Sequence, residues 1–330
     1  MIAAFTREEK DAMRRFSQLY VLLFLAAGPF LFSLETQAQK PTPSPRVRTV
    51  SIPVSIYTKE ELRAGRTEEL LQVDVLTVTE NGQPKKVLSV RSVEDAPLAV
   101  AILIQDDLTG NFNLQLTDIR EFIRGLPEGS RVMVGYLRSG SMETRQRFTT
   151  DRDRAARALR IVASSSAVSP RNPYDGVRDA LERFDALPAG RRAILLVSDG
   201  LDTSQDIPGA APSQSTDLER AVQNAQRKGV AVFSFYSPTV ITERGGSQRI
   251  LFGQSSLQKL SDETGGRAFF SGSSAPVSFR PFLRDLNLLL TRQFFLTYLS
   301  ENMKRGYYRV EVKSSNPAVK IEHPRGYYYR

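Results

Sequence analysis

From Leu98 onward, apolar runs of strand length alternate with segments whose apolar residues recur at helical spacing. The first run, Leu98–Asp106, gives way to a helix near Thr117–Arg124 that Gly125 and Pro127 close. Strands at Arg131–Arg138 and Thr144–Phe148 precede a helix over Asp151–Val162, with Thr150 as its N-terminal cap. The Ser/Pro-rich stretch Ser164–Pro173 leads to a helix at Tyr174–Leu187 and a strand at Arg192–Val197. That strand ends in Ser198-Asp199-Gly200, and a loop runs on to Ser215. Helix Thr216–Lys228, strand Val230–Tyr236, helix Ser255–Glu263, strand Arg267–Ser271 and a long helix Val277–Gln293 complete the series. Apolar strands alternating with amphipathic helices predict an α/β fold, a doubly wound and mostly parallel sheet covered on both faces. Right-handed crossovers then place any ligand at the C-terminal ends of the strands.

Before Leu98 the period changes from helical to two. Val47–Tyr57 and Leu71–Thr79 alternate apolar and polar residues like half-buried strands, and the charged Thr58–Glu69 between them reads as a short helix or a loop. Asn81-Gly82 separates Val73–Thr79 from Lys86–Val90, and two residues that tolerate positive φ make this a strong hairpin signal. Near the other end, Tyr307–Val312 and Val319–His323 alternate again, joined through Ser314–Pro317. A β-rich segment of about 50 residues is marginal as an independent core. The expectation is therefore a small β-sandwich-like domain built from N- and C-terminal strands, with 300–330 packing on 47–97 and an α/β domain over 98–299 between them. Tyr307, Tyr327, Tyr328 and Tyr329, with Arg305, Arg309, Arg325 and Arg330, read either as cross-strand packing or as a binding surface.

The first residues follow another pattern. Leu19–Leu34 is apolar behind Arg14 and Arg15, and Thr36-Gln37-Ala38 follows as a small-x-small site. This is the layout of a secretory signal peptide spanning 1–38, cleaved after Ala38, with a Pro-rich linker at 39–46. The alternative is a retained anchor, for which a run of about 16 residues broken by Gly28 and Pro29 is short of the ~20 a span needs. Arg14-Arg15-Phe16 leaves the twin-arginine route open beside the general one. Export to the periplasm, cell envelope or exterior follows, with no membrane span after cleavage.

Charge and composition narrow the chemistry. The net charge is +9, yet the arginines are scattered with no long basic run or nucleic-acid motif, so no nucleic-acid partner is expected. No Cys means no disulfide, thiolate metal site or thiol nucleophile, and the single His323 stands apart from any acidic cluster. What remains is the loop after the first parallel strand. Asp107, Thr109 and Asn111 alternate along it, so their side chains can converge, and Asp199 ends another strand of the same sheet. Carboxylate, hydroxyl and amide oxygens suit a hard cation such as Mg²⁺; the same residues also suit capping of the following helix.

This chain resembles the von Willebrand factor A (VWA) domain family, and more narrowly the exported VWFA-related domain proteins described from Acidobacteria. The resemblance rests on Val78–Val90 (VTENGQPKKVLSV), Ala101–Phe112 (AILIQDDLTGNF) and Asn172–Leu181 (NPYDGVRDAL). It continues through Arg191–Thr203 (RRAILLVSDGLDT), Glu263–Phe270 (ETGGRAFF) and Tyr307–Arg330. It implies a VWA/Rossmann-like fold and a metal-ion-dependent adhesion site of the form D-x-S-x-S, then Thr, then Asp. Carried over, Asp107 takes the first carboxylate, Thr109 and Asn111 the two hydroxyl positions, and Asp199 the late Asp. Alignment through Tyr174-Asp175 puts Arg171 at the Thr position; another register offers Ser169. The implied cofactor is Mg²⁺ or Mn²⁺ in a degenerate site, and the implied role is non-enzymatic binding or adhesion to a protein or other macromolecule bearing an acidic group. With metal absent, Arg171 itself would receive that acidic group. The alternatives are a Mg-dependent phosphotransfer hydrolase using Asp106, Asp107 and Asp199, and a structural envelope-assembly subunit without metal.

Overall fold

A computed structural model of the chain describes residues 46–330 except 65–75, 93–95, 165–170, 189, 205–210, 245, 275 and 330. The expected signal peptide and its cleavage at Ala38 therefore lie outside the described residues, as does Ser169.

The central sheet is built from β5 (Leu98–Gln105), β6 (Arg131–Arg138), β7 (Ser141–Thr149), β8 (Arg191–Ser198), β9 (Ala231–Tyr236) and β10 (Ala268–Phe269). Their spatial order is β10-β9-β8-β5-β6-β7, and all neighbours are parallel except the β6–β7 hairpin. Counted from β5 as first, the order is 3-2-1-4-5-6, that of a doubly wound sheet whose direction of winding reverses between β5 and β8. β5 is buried along its whole length because both faces of the sheet are covered. Val100, Ile102 and Ile104 face one core with helices α2 (Leu116–Gly125), α3 (Arg152–Arg157) and α8 (Arg280–Thr291). Ala99, Ala101 and Leu103 face the other, with α4 (Pro173–Arg183), α5 (Thr216–Lys228) and α7 (Gly246–Thr264). The short α6 (Val240–Arg244) precedes α7.

The two antiparallel sheets follow the expected fold class. β1 (Arg48–Thr58), β4 (Val87–Ser92), β11 (Gln293–Ser300) and β13 (Val319–Glu322) form one, in order β13-β1-β11-β4. β2 (Leu76–Glu80), β3 (Gln83–Lys85), β12 (Gly306–Ser314) and β14 (Gly326–Tyr329) form the other, in order β14-β12-β2-β3. Val50, Ile52 and Val54 from the first sheet meet Val78, Val310 and Val312 from the second in one core. The β2–β3 turn is Asn81-Gly82, with φ of 50° and 79°, as its sequence predicts, but the second strand of the hairpin is Gln83–Lys85, and the Lys86–Val90 run expected there contributes β4 to the other sheet. α1 (Lys59–Ala64) follows β1.

Four local expectations are corrected. The helix expected over Asp151–Val162 ends at Arg157 and is capped by Asp151, whose carboxylate accepts from the Arg154 amide at 2.8 Å, not by Thr150. The chain leaves the helix because the Tyr136 hydroxyl donates to the Arg160 carbonyl at 2.8 Å and accepts from its amide at 2.7 Å. The helix expected to begin at Ser255 begins at Gly246. The long C-terminal helix stops at Thr291, and Gln293–Ser300, read with the α/β domain in the sequence, forms β11 in the sandwich. β12 and β13, joined through Ser314–Pro317, belong to opposite sheets.

Candidate functional site

The reversal of winding between β5 and β8 opens a crevice at the strands' C-terminal ends, where open α/β sheets hold ligands. β5 delivers Gln105, Asp106 and Asp107 there, and β8 delivers Ser198 and Asp199. A cleft of about 620 Å³ lies at this edge, lined among others by Gln105, Asp106, Asp107, Arg138, Arg160 and Arg171.

Gln105 joins the two strand ends. Its amide oxygen accepts from the Ser198 hydroxyl at 2.6 Å and the Asp199 amide at 3.1 Å, and its amide nitrogen donates to Asp107 Oδ1 at 2.9 Å. Asp199 has no exposed surface. Its Oδ2 accepts from the hydroxyls of Thr239 at 2.8 Å and Thr242 at 2.6 Å, and its Oδ1 accepts from the Leu201 amide at 3.1 Å. The loop after β8 is pressed against α7 by backbone. Gly200 takes φ of 73°, and a methyl on Gly253 would collide with the Asp199 carbonyl oxygen.

Arg171 closes the network. Only 6% of its surface is exposed, its Nε is ion-paired with Asp107 Oδ2, and its Nη1 donates to the Thr239 hydroxyl at 3.4 Å. Its backbone is held by Thr203 in both directions, the amide donating to Oγ1 at 3.1 Å and the carbonyl accepting from the Thr203 amide at 2.8 Å. The next residue, Asn172, caps α4 by accepting from the amides of Tyr174 and Asp175. Burial pushes the Asp107 carboxyl above the usual carboxylate range, a tendency the Arg171 charge opposes and the Asp199 charge reinforces.

The sequence-derived ligand set is thus brought together only in part. Asp107 and Asp199 share the Gln105 and Arg171–Thr239 connections. Thr109 is buried, its amide donates to the Pro238 carbonyl at 3.0 Å, and its hydroxyl has no hydrogen-bond partner among the described residues. Asn111 is exposed on the 3₁₀ turn Gly110–Gln115, and its side chain makes no hydrogen bond among the described residues. Among the described residues no group of three His, Cys, Asp or Glu side chains converges.

These residues do not fit a resident divalent ion. Both carboxylate oxygens of Asp107 are taken, one by an amide and one by a guanidinium, and those of Asp199 face three donors. A hard cation needs acceptor oxygens free of such donors and no fixed positive charge beside it. Arg171 is also too enclosed to meet a partner's acidic group directly, as the sequence suggested for the metal-free case. Asp106 is held by Arg160 through two bonds of 2.7 and 3.0 Å, and Arg160 stacks over the Tyr136 ring at 4.2 Å. Sequence reading missed Gln105, Thr239, Thr242 and Arg160. Gln105 at the end of an apolar strand, beside two aspartates, carried the one local signal.

No family model and no curated protein matches this sequence. The strand order with its single antiparallel edge is that of a doubly wound, VWA/Rossmann-like sheet. The α/β unit is VWA-like. Among solved structures, the chain is similar to an aerotolerance-related membrane protein from Bacteroides fragilis, at 14% identity over 59% of this chain and 99% of that one, with a TM-score of 0.43. A von Willebrand factor type A protein from Catenulispora acidiphila is 10% identical over 77% and 74%, with a TM-score of 0.43. The manganese-loaded TRAP protein of Plasmodium vivax is 9% identical over 72% and 97%, with a TM-score of 0.40.

Proposed function

We propose that the chain is an exported, non-enzymatic binding protein whose VWA-like unit engages an acidic protein partner at the C-terminal rim of its sheet. The observations that carry this reading are an exposed cation on the cleft wall and exposed apolar side chains around the 3₁₀ turn that follows β5. Arg138, at the end of β6 and on the cleft wall, is exposed and has no ion-pair partner among the described residues. Leu114 and Ile161 are 75% and 70% exposed, and Val277 is 97% exposed. Their backbones are held around one 3₁₀ turn. The Asn113 amide bonds both backbone groups of Val162, and Gln115 donates to the carbonyl of Val277 at 3.1 Å. Exposed apolar side chains and an exposed cation at a strand-end rim suit a protein partner carrying apolar and acidic residues.

The non-enzymatic part of the reading is supported by Asp106, Asp107 and Asp199, each already bonded to donors of its own chain, which leaves no poised nucleophile or base of the kind a phosphotransfer hydrolase uses. Export is supported by the apolar Leu19–Leu34 and the Ala38 site. The test is capture from an envelope extract of the source organism by the mature chain, by Arg138→Glu and by Ile161→Glu. A partner retained by the mature chain and lost at least tenfold with either variant fits the reading. Equal capture by all three removes the rim as the binding face.

A further inference from the structure

The centre of the strand-end network is a positive charge supplied by the chain. The Arg171 guanidinium sits between two carboxylates on the adjacent strands β5 and β8, bonded directly to Asp107 and through the Thr239 hydroxyl to Asp199. Arg171 as a whole joins four segments of chain: its side chain holds the loop after β5 through Asp107 and the loop after β9 through Thr239, and its backbone ties the loop before α4 to the loop after β8 through Thr203. A cation that gathers carboxylates and hydroxyls from several strand ends does the work that a bound divalent ion does in an oxygen-lined site. Here, however, it is covalently attached, and its planar donors match the carboxylate and hydroxyl acceptors they face.

We infer that the Arg171 guanidinium is the resident cation of this site, so that the rim holds its shape without a metal ion. One observation beyond the ion pair points the same way. The backbone of Arg171 is locked by two hydrogen bonds to Thr203, which places the side chain without the need for a ligand. A divalent ion added to the site would meet a fixed positive charge in a setting of weak screening, which disfavours its entry. The inference stands whether or not the rim binds a protein, and its test involves no partner.

The test is Mn²⁺ binding to the mature chain, followed by calorimetry and by the shift in Tm between millimolar Mn²⁺ and chelator. The wild-type chain should bind no Mn²⁺ saturably and melt at the same temperature in both. Arg171→Ser removes the tethered charge and makes room. It should melt lower in chelator and recover several degrees with Mn²⁺, by preferential binding to the folded state. Adding Asp107→Asn to Arg171→Ser should abolish that recovery, and Arg171→Lys, which keeps the charge, should stay indifferent to Mn²⁺. If Arg171→Ser does not fold in chelator, Mn²⁺ should restore its folding. Saturable, Asp107-dependent Mn²⁺ binding by the wild-type chain overturns the inference, and so does an Arg171→Ser chain that ignores Mn²⁺ in both folding and Tm.

Discussion

Glu80, at the end of β2, has no exposed surface and sits within the sandwich, where an unpaired carboxylate would be costly. Four side chains satisfy it: Tyr298 and Ser300 from β11, Asn302 just beyond, and Tyr327 from β14. Burial alone would raise its pKa, but the donors outweigh it and hold the carboxyl below its ordinary value. A carboxyl whose folded pKa is depressed adds stability above the unfolded pKa of about 4.3, and that stability is lost as pH falls through the folded value. Glu80→Ala leaves several buried hydroxyls and an amide without an acceptor. It should cost about 3 kcal/mol near neutral pH. The loss should shrink below the ordinary carboxylate range, where wild-type Glu80 takes up its proton. Denaturant melts at neutral and acid pH read both parts; a loss unchanged with pH would place the effect elsewhere. His323, the only histidine, is a structural residue of the same kind. Its Nε2 accepts from the Val312 amide at 3.2 Å and its Nδ1 faces the Pro324 carbonyl at 3.0 Å, and burial lowers its pKa. The sequence placed His323 on a strand, and it lies just past the end of β13.

At the scale of elements, the site depends on how closely α7 approaches the end of β8. Gly200 and Gly253 meet backbone to backbone, and a Cβ on either would strike the other's chain. The Ser198-Asp199-Gly200 turn is legible in sequence as a strand end, but nothing in the run around Gly253 announces a contact with it. Gly253→Ala should therefore destabilise by about 1–3 kcal/mol although alanine favours helices, because overpacking outweighs the propensity gain. Urea denaturation measures this; a neutral or stabilised variant would mean that α7 shifts without cost. α3 also ends early because of a contact from another element. Its sequence continues in a helical pattern, but Tyr136 from β6 takes both backbone groups of Arg160, and Arg160 turns back to Asp106.

For the whole molecule, the sandwich is assembled from segments about 230 to 270 residues apart in sequence, with β1 paired to β11 and β13, and β2 paired to β12. Neither end has a core alone, and the α/β unit between them supplies the path that brings the ends together. Arg48 at the start of β1 lies over the rings of Tyr308, Tyr327 and Tyr329 from the C-terminal strands. Of the tyrosines that the sequence read as packing or as a binding surface, Tyr327 and Tyr329 pack here under Arg48, while Tyr307 is 41% exposed. Truncation before Gly306 removes β12, β13 and β14 and uncovers Val50, Val54 and Val78. The truncated chain should aggregate or bind a hydrophobic dye strongly, with loss of near-ultraviolet circular dichroism. Retention of a single sharp melting transition would show that the α/β unit is independent of the tail.

The period of apolar positions alone determined the α/β core, the strand order's parallel character and the two alternating ends, because burial on two faces or one leaves a direct mark on local pattern. Asn81-Gly82 determined its turn for the same local reason. The membership of Gln293–Ser300 in the sandwich and the separation of β12 from β13 were decided by tertiary pairing, which no local period encodes. So was the centre of the rim. Asp107, Thr109, Asn111 and Asp199 could be picked out by residue type and spacing. That a guanidinium from a distant loop lies between two of these carboxylates, while Asn111 faces solvent, follows from how Thr203 and Thr239 hold Arg171. Charges interact through space, and only the folded chain sets those distances.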